Sequence, residues 1–333
     1  SGGATCPSLL LEPSRTNLYP QSEYVSNGTR VILANNVTTS PEGVDNAASV
    51  VATSVNGSHE VLTSAITISG GGVTTFSTFA KYNGNHLTLT KAYNSSNWTG
   101  CVFDLQNGVA KTPQQNGSSS VCTADIEDYG NGWYRCSITF SPFASSNQYI
   151  ISLTNDVDAP LGVWGADAYL GDDVSGIYLY GSQVELGAYA TSYIPTYGVS
   201  QTRAADSCLL NNSSALPTAY PFTLYSESII KSIGSEVLMS FLNTSDNVSY
   251  AAIITSSAGV FESSTLKLFV NGALKASISN TTTFQSGWND LLVGQLRTTT
   301  DTGDRTSNKQ AIIFPTALSD LDAEILTGAT TYN

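Results

Sequence analysis

The segment YLYGSQVELGAYATSYIPTYGVSQTRAAD (Tyr178–Asp206) decides the fold reading. Alternating apolar residues run as far as Gly187, and a period of two is the signature of a strand with one buried face. Beyond Gly187 comes an aromatic-rich stretch built around Pro195, which lacks a backbone donor and pushes its predecessor into extended geometry. The pattern is that of the last strand of one β-domain, followed by a connection into a second. Pro195 to Asp206 is the candidate connection, with Arg203 and Asp206 placed to pin it to a domain surface. The boundaries that follow are a first domain over 1–200, a linker over 201–219 and a second domain over 220–333.

The same periodicity recurs on both sides. In TFSTFAKY (Thr75–Tyr82), Phe76, Thr78, Ala80 and Tyr82 alternate with Thr75, Ser77, Phe79 and Lys81. Leu87, Leu89 and Tyr93 continue the period in HLTLTKAY, and Trp133–Phe140 sets Tyr134, Cys136, Ile138 and Phe140 against Arg135, Ser137 and Thr139. Turn pairs separate these runs: Asn83-Gly84, Asn107-Gly108, Asn116-Gly117 and Asn131-Gly132. Many short strands with such turns predict a sandwich or jelly roll. From Tyr220 the pattern restarts, with strands expected at Phe222–Ile230, Val237–Asn243, Tyr250–Thr255 and Leu266–Val270 and a hairpin turn at Asn271-Gly272. One helix is expected near the end: Ser319 and Asp322 have capping-box spacing, Leu321, Ile325 and Leu326 supply a stripe, and Gly328 ends it.

Composition narrows the function classes. Across 333 residues only 12% are charged, 10% are aromatic and the net charge is −13. That balance disfavours nucleic acid and anionic membrane surfaces as partners, since both require clustered Lys or Arg. No apolar run approaches the roughly 20 residues that span a bilayer, so membrane insertion is not expected. The five cysteines (Cys6, Cys101, Cys122, Cys136 and Cys208) form no CxxC pair, which argues against zinc. Cys101–Cys122 and Cys6–Cys208 are the bridges to consider, but the odd count favours reduced thiols buried as small hydrophobes.

Three stretches resemble a recurrent pattern of bacteriophage virion proteins: LLLEPSRTNLYPQSE (Leu9–Glu23), DYGNGWYRCSITF (Asp128–Phe140) and the Tyr178–Asp206 segment itself. In tail-fibre, spike and head-fibre proteins such stretches open and close a carbohydrate-binding-like jelly-roll sandwich. The hairpin KLFVNGALKAS (Lys267–Ser277), with Ile313-Phe314-Pro315 and Ala317–Thr327, resembles concanavalin-A-like (laminin-G-like) sandwiches. The resemblance implies an all-β chain of two β-sandwich domains, jelly-roll and concanavalin-A-like, with a short C-terminal helix. It further implies an adhesion or decoration protein on the virion surface that binds host-surface or environmental glycans without cleaving them. Its partners would be a glycan or bacterial surface polysaccharide, other virion proteins and copies of itself, with a trimer among the assemblies to test. Jelly rolls of this kind often carry one structural calcium held by carboxylates near the first and last strands, and Glu23 and Glu185 occupy those places. Asp156, Asp158, Asp172 and Asp173 are further acidic candidates.

Catalytic signatures are sparse. The chain has no GxSxG, HExxH, P-loop or GxGxxG, and its two histidines, His59 and His86, sit in strand or turn contexts. Its 26 acidic residues leave a two-carboxylate glycosidase open, so a polysaccharide-degrading lyase or glycosidase stands as an alternative. A purely structural head or tail component and a secreted carbohydrate-binding module are two more. Sugar recognition needs aromatic faces beside amide or carboxylate groups. Trp98 in NSSNWTG, with Tyr93, Asn94 and Asn97, is the expected binding platform. Trp133 is expected to be core; Trp164 and Trp288 are intermediate.

Overall fold

The structure is a computed structural model describing residues 9–328, apart from 63–64, 69–71, 118–121, 142–145, 207, 212–215, 217–218, 231–238, 244–247, 253–256, 262–264, 271, 280–289, 294–305 and 315. It is an all-β sandwich fold with one short helix near its end. Two compact units form: Arg15–Arg203, and the residues from Ala204 onward together with those before Arg15.

The Arg15–Arg203 unit is a sandwich of two antiparallel sheets. One runs in the order Thr123–Asp128, Trp133–Phe140, Thr74–Asn83, Gly176–Leu186, Ala47–Ala52 and Val31–Thr38. The other runs Val109–Ala110, Asn97–Asp104, His86–Asn94, Ser146–Thr154, His59–Leu62 and Gly28–Thr29, with Gln114–Asn116 and Ile66–Thr67 added at its margins. Between them lies a core that includes Phe76, Leu87, Leu89, Phe103, Ile138, Phe140, Tyr149 and Ile151. The inward set of the Thr74–Asn83 and Trp133–Phe140 strands is the one their alternation predicts, because a pleated strand sends i and i+2 to the same face. The glycines of the four Asn-Gly turns all adopt positive φ.

Two boundaries differ from the sequence reading. Leu9–Leu11 pairs with Thr306–Asn308, so the opening strand belongs to the other unit and not to the 1–200 domain. Alternation marks a strand but does not say which edge will accept its hydrogen bonds. The expected 201–219 linker also contributes two short strands to sheets. Gln201–Arg203 pairs with Arg15–Asn17, and Cys208–Asn211 pairs with Asp290–Val293. Asp206 accepts from the Glu12 amide at 3.0 Å and donates its own amide to the Glu12 carbonyl at 2.9 Å.

The second unit has a six-stranded sheet, ordered Leu9–Leu11, Thr306–Phe314, Phe222–Ile230, Ser257–Phe261, Thr265–Val270 and Ala273–Ser279. Its four-stranded sheet runs Cys208–Asn211, Asp290–Val293, Met239–Asn243 and Val248–Ala252. The helix Asp320–Gly328 begins as predicted: Ser319 Oγ accepts from the Asp322 amide at 3.1 Å and donates to its carboxylate at 2.6 Å. Its buried face differs, however. Leu321 and Ile325 are 64% and 57% exposed, while Ala323 and Thr327 are fully buried and Leu326 packs beside them. The sheet accepts the narrower side of the helix because Thr327 Oγ1 receives the Gly272 amide at 3.0 Å. Asn271, Trp288 and Pro315 lie outside the described residues.

Candidate functional site

The outer face of the Thr123–Val31 sheet, turned away from the main core, carries a second cluster of aromatic side chains: Phe79, Trp133, Tyr178, Tyr180 and Tyr193. Cross-strand register sets Trp133, Lys81 and Tyr178 in one row and Arg135, Phe79 and Tyr180 in the next. Phe79 is the hub. Tyr129 meets it edge-on at 4.8 Å between centroids, and Tyr180 and Tyr193 each stand at 6.1 Å. Edge-to-face contacts of this kind contribute beyond simple burial.

The chain after Gly187 folds back to complete this face. Glu185 holds it: Oε1 accepts from the Thr191 amide at 2.9 Å and from Gln183 Nε2 at 2.6 Å, and Oε2 accepts from Thr191 Oγ1 at 2.7 Å. Arg15 Nε stands 3.8 Å from Oε2, and Gln183 Oε1 receives the Ile194 amide at 2.8 Å. Tyr193 and Tyr197 are thereby brought to Tyr180, and all three hydroxyls donate to Glu23 Oε1 at 3.3, 3.0 and 3.4 Å respectively. The Glu42 carboxylate adds its negative charge to the surroundings of the Tyr180 phenol. Burial first, then these carboxylates, raise the three phenols, so they remain hydrogen-bond donors at neutral pH.

Beside this array opens a pocket of about 280 Å³. Thr38–Pro41 and Gly43 form one wall, Tyr129, Gly130 and Asn131 the other, and Lys81 and Trp133 also line it. The Trp133 indole donates to the Thr39 carbonyl at 3.1 Å, which fixes the ring against the first wall. The second wall is a tight turn in which Gly130, Asn131 and Gly132 all have positive φ, closed by the Trp133 amide on the Gly130 carbonyl. Rings, hydroxyls, an amide and an ammonium thus converge in a cleft near the small end of the range for ligand sites, about 300–1,000 Å³.

The platform expected from sequence is placed differently. Trp98 is only 8% exposed and packs with Ala92, Val102, Ile150, Leu161 and Ala166 under a small hairpin, so it does not face a ligand. Gln114 clamps that hairpin, donating to the Ala159 carbonyl and accepting from the Leu161 amide. The polar neighbours of Trp98 in sequence misled because its neighbours on the strand face are apolar. Tyr93 is exposed, but Asn94 and Asn97 are spent on their own turn, where Asn94 Oδ1 accepts from the Ser96 amide and Asn97 Nδ2.

The two carboxylates expected to hold calcium, Glu23 and Glu185, are each engaged by protein groups. The oxygens of Glu185 are taken by protein donors, and those hydroxyl, amide and guanidinium groups are the wrong partners for a cation. Glu23 is a hydroxyl acceptor. Among the described residues no group of three or more His, Cys, Asp and Glu side chains is arranged to hold a metal. Asp172 caps its own turn through the Val174 and Ser175 amides and the Ser175 hydroxyl, which hold its carboxyl down at about 2. Asp173 accepts from the Ser54 amide, and Asp156 from the Asp158 amide.

His59 is buried with its two ring nitrogens against the Arg30 and Tyr169 carbonyls. His86 Nδ1 accepts from the Leu105 amide, and burial lowers its pKa. Cys101, Cys122, Cys136 and Cys208 are free thiols, the first three buried with their pKa values raised by burial. Cys6 is outside the described residues. Trp164 is exposed.

Sequence reasoning missed Tyr129, Lys81 and the Thr38–Gly43 wall. The one signal for them was the Asp128–Phe140 stretch, which contains Tyr129, Asn131 and Trp133 together. Compared with known proteins, the chain matches no family model and no curated sequence.

Proposed function

We propose that this chain is a non-enzymatic glycan-binding protein, displayed as an adhesion or decoration module on a phage particle, whose binding site is the pocket beside Trp133. The observation that carries the reading is the convergence of Tyr129 and Trp133 with Thr38, Thr39, Ser40 and Asn131 in that one pocket. Sugar rings offer CH faces to aromatic side chains and hydroxyls to amides and hydroxyls, so both halves of the required chemistry are present. Assignment to a virion rests on the resemblance of Leu9–Glu23, Asp128–Phe140 and Tyr178–Asp206 to virion proteins. Display in many copies would turn a weak single-site contact into firm attachment.

The test is a panel of glycans and bacterial surface polysaccharides probed with the purified chain, alongside an assay for released sugar. Binding without release, lost in Tyr129→Ala and kept in Trp98→Phe, is the expected result. Tyr129 is 40% exposed, so its truncation removes ligand contact with little cost to the fold. Release of sugar would overturn the non-enzymatic reading, and a blank panel would favour a purely structural head or tail component.

A further inference from the structure

One residue beside the pocket is poorly accounted for by the fold itself. Arg135 is 3% exposed, and a guanidinium carries five N–H donors and a charge that burial leaves costly unless paired. Nη2 donates to Ser77 Oγ at 3.2 Å, and the guanidinium carbon stands 5.2 Å from the centre of the Phe79 ring. Nε and Nη1 have no hydrogen-bond partner among the described residues. Glu127 is directly opposite in strand register. One row away on the same face is Lys81, which lines the pocket and has no carboxylate within ion-pair distance among the described residues. The chain has only 13 Lys and Arg against 26 Asp and Glu, so two neighbouring cations with no acidic partner among the described residues stand out against the overall charge.

The two cations are linked through the aromatic hub. Arg135 lies over Phe79, and Tyr129, a wall of the pocket, meets Phe79 edge-on. Tyr129 is therefore the side chain whose movement would open a path from the pocket past Phe79 towards the unsatisfied donors. We propose that the pocket takes an anionic sugar, its acidic group bound by Lys81 and, once Tyr129 moves aside, by Nε and Nη1 of Arg135. A planar carboxylate matches the guanidinium edge that Nε and Nη present, so a uronic acid is the preferred form. A sulfate ester offers the same charge and is the other source of that chemistry. This inference rests on the glycan-binding reading and narrows it to acidic glycans.

The experiment is an NMR titration of the intact chain, following the Trp133 indole N–H, with three probes: D-glucuronate, inorganic sulfate and methyl glucoside. Glucuronate is expected to shift that resonance with an affinity on the order of ten-fold above that of methyl glucoside, a difference of about one charge-assisted contact. Lys81→Ala, at a partly exposed position that folding tolerates, is expected to abolish the preference, and Arg135→Lys to reduce it while keeping the charge. A sulfate response equal to that of glucuronate assigns the site to anionic groups in general, including sulfated sugars. Equal affinity for glucuronate and methyl glucoside, unchanged in Lys81→Ala, would overturn the anionic assignment and leave glycan binding standing. Response to sulfate and glucuronate with no polysaccharide bound in any panel would retain the anion site and sink the glycan reading. No response to any of the three would overturn both.

Discussion

Asn17 shows how a single side chain ties the opening of the Arg15–Arg203 unit to the Gly176–Leu186 strand and the segment that follows it. Fully buried, it donates to the Ser182 and Ile194 carbonyls at 3.3 and 2.8 Å and accepts from the Tyr19 and Val184 amides at 2.9 and 3.1 Å. Asn17→Ala leaves several buried backbone groups unpaired at once, and a loss of about 2–4 kcal/mol in chemical denaturation is expected. Lys91 presents the opposite case. It is fully buried with its ammonium 5.6 Å from the centre of the Phe140 ring, and burial pulls its pKa down to about 8. The unfolded chain therefore holds more protons than the folded one between pH 8 and 10.5. Stability contributed by this site should rise as pH climbs through that window, and the charge penalty is fully present below it. Lys91→Met is expected to raise the melting temperature at pH 7, with the gain shrinking towards pH 10.5; a gain that does not change with pH would refute the charge argument.

Local elements follow rules that the sequence states openly. The Ser319 cap is one: Ser319→Ala should cost about 1 kcal/mol, read as a lower denaturation midpoint for the helix-bearing unit. The pocket turn is another. A Cβ at residue 132 would meet nothing closer than Lys81 Cε at 3.5 Å, so Gly132→Ala has room. Its cost is conformational, because φ is 77°, and should come to about 1–2 kcal/mol. Since Gly132 belongs to the turn that forms one pocket wall, the same substitution should weaken glycan binding in the panel assay; unchanged binding would detach the turn from the site. The helix stripe illustrates the limit of such rules. Leu321 and Ile325 have the right spacing, but the sheet accepts Ala323, Leu326 and Thr327 instead.

At the scale of the whole molecule, chain order and spatial order part company at the N-terminal edge. Leu9–Leu11 completes a sheet whose other strands come from beyond residue 221, so deletion of residues 9–14 should destabilise that unit and spare Arg15–Arg203. A fragment spanning residues 15–203 is expected to melt cooperatively by itself; failure to fold would mean that its core is not self-sufficient. The all-β class, the Asn-Gly turns, the inward set of Phe76, Ala80, Cys136 and Ile138 and the terminal helix were legible without coordinates. Each depends on residues a few positions apart, where the geometry of strand, turn and cap leaves few choices. The binding face was not legible. Trp98 went inside because a hairpin 60 residues further along covers it, and the pocket exists because Lys81, Thr38–Gly43 and Tyr129–Trp133 meet from three separate strands and turns. By itself, the sequence determined what could form through local covalent geometry and side-chain period. Which faces are covered and which strand closes which sheet depend on long-range register, and only the tertiary structure decided them.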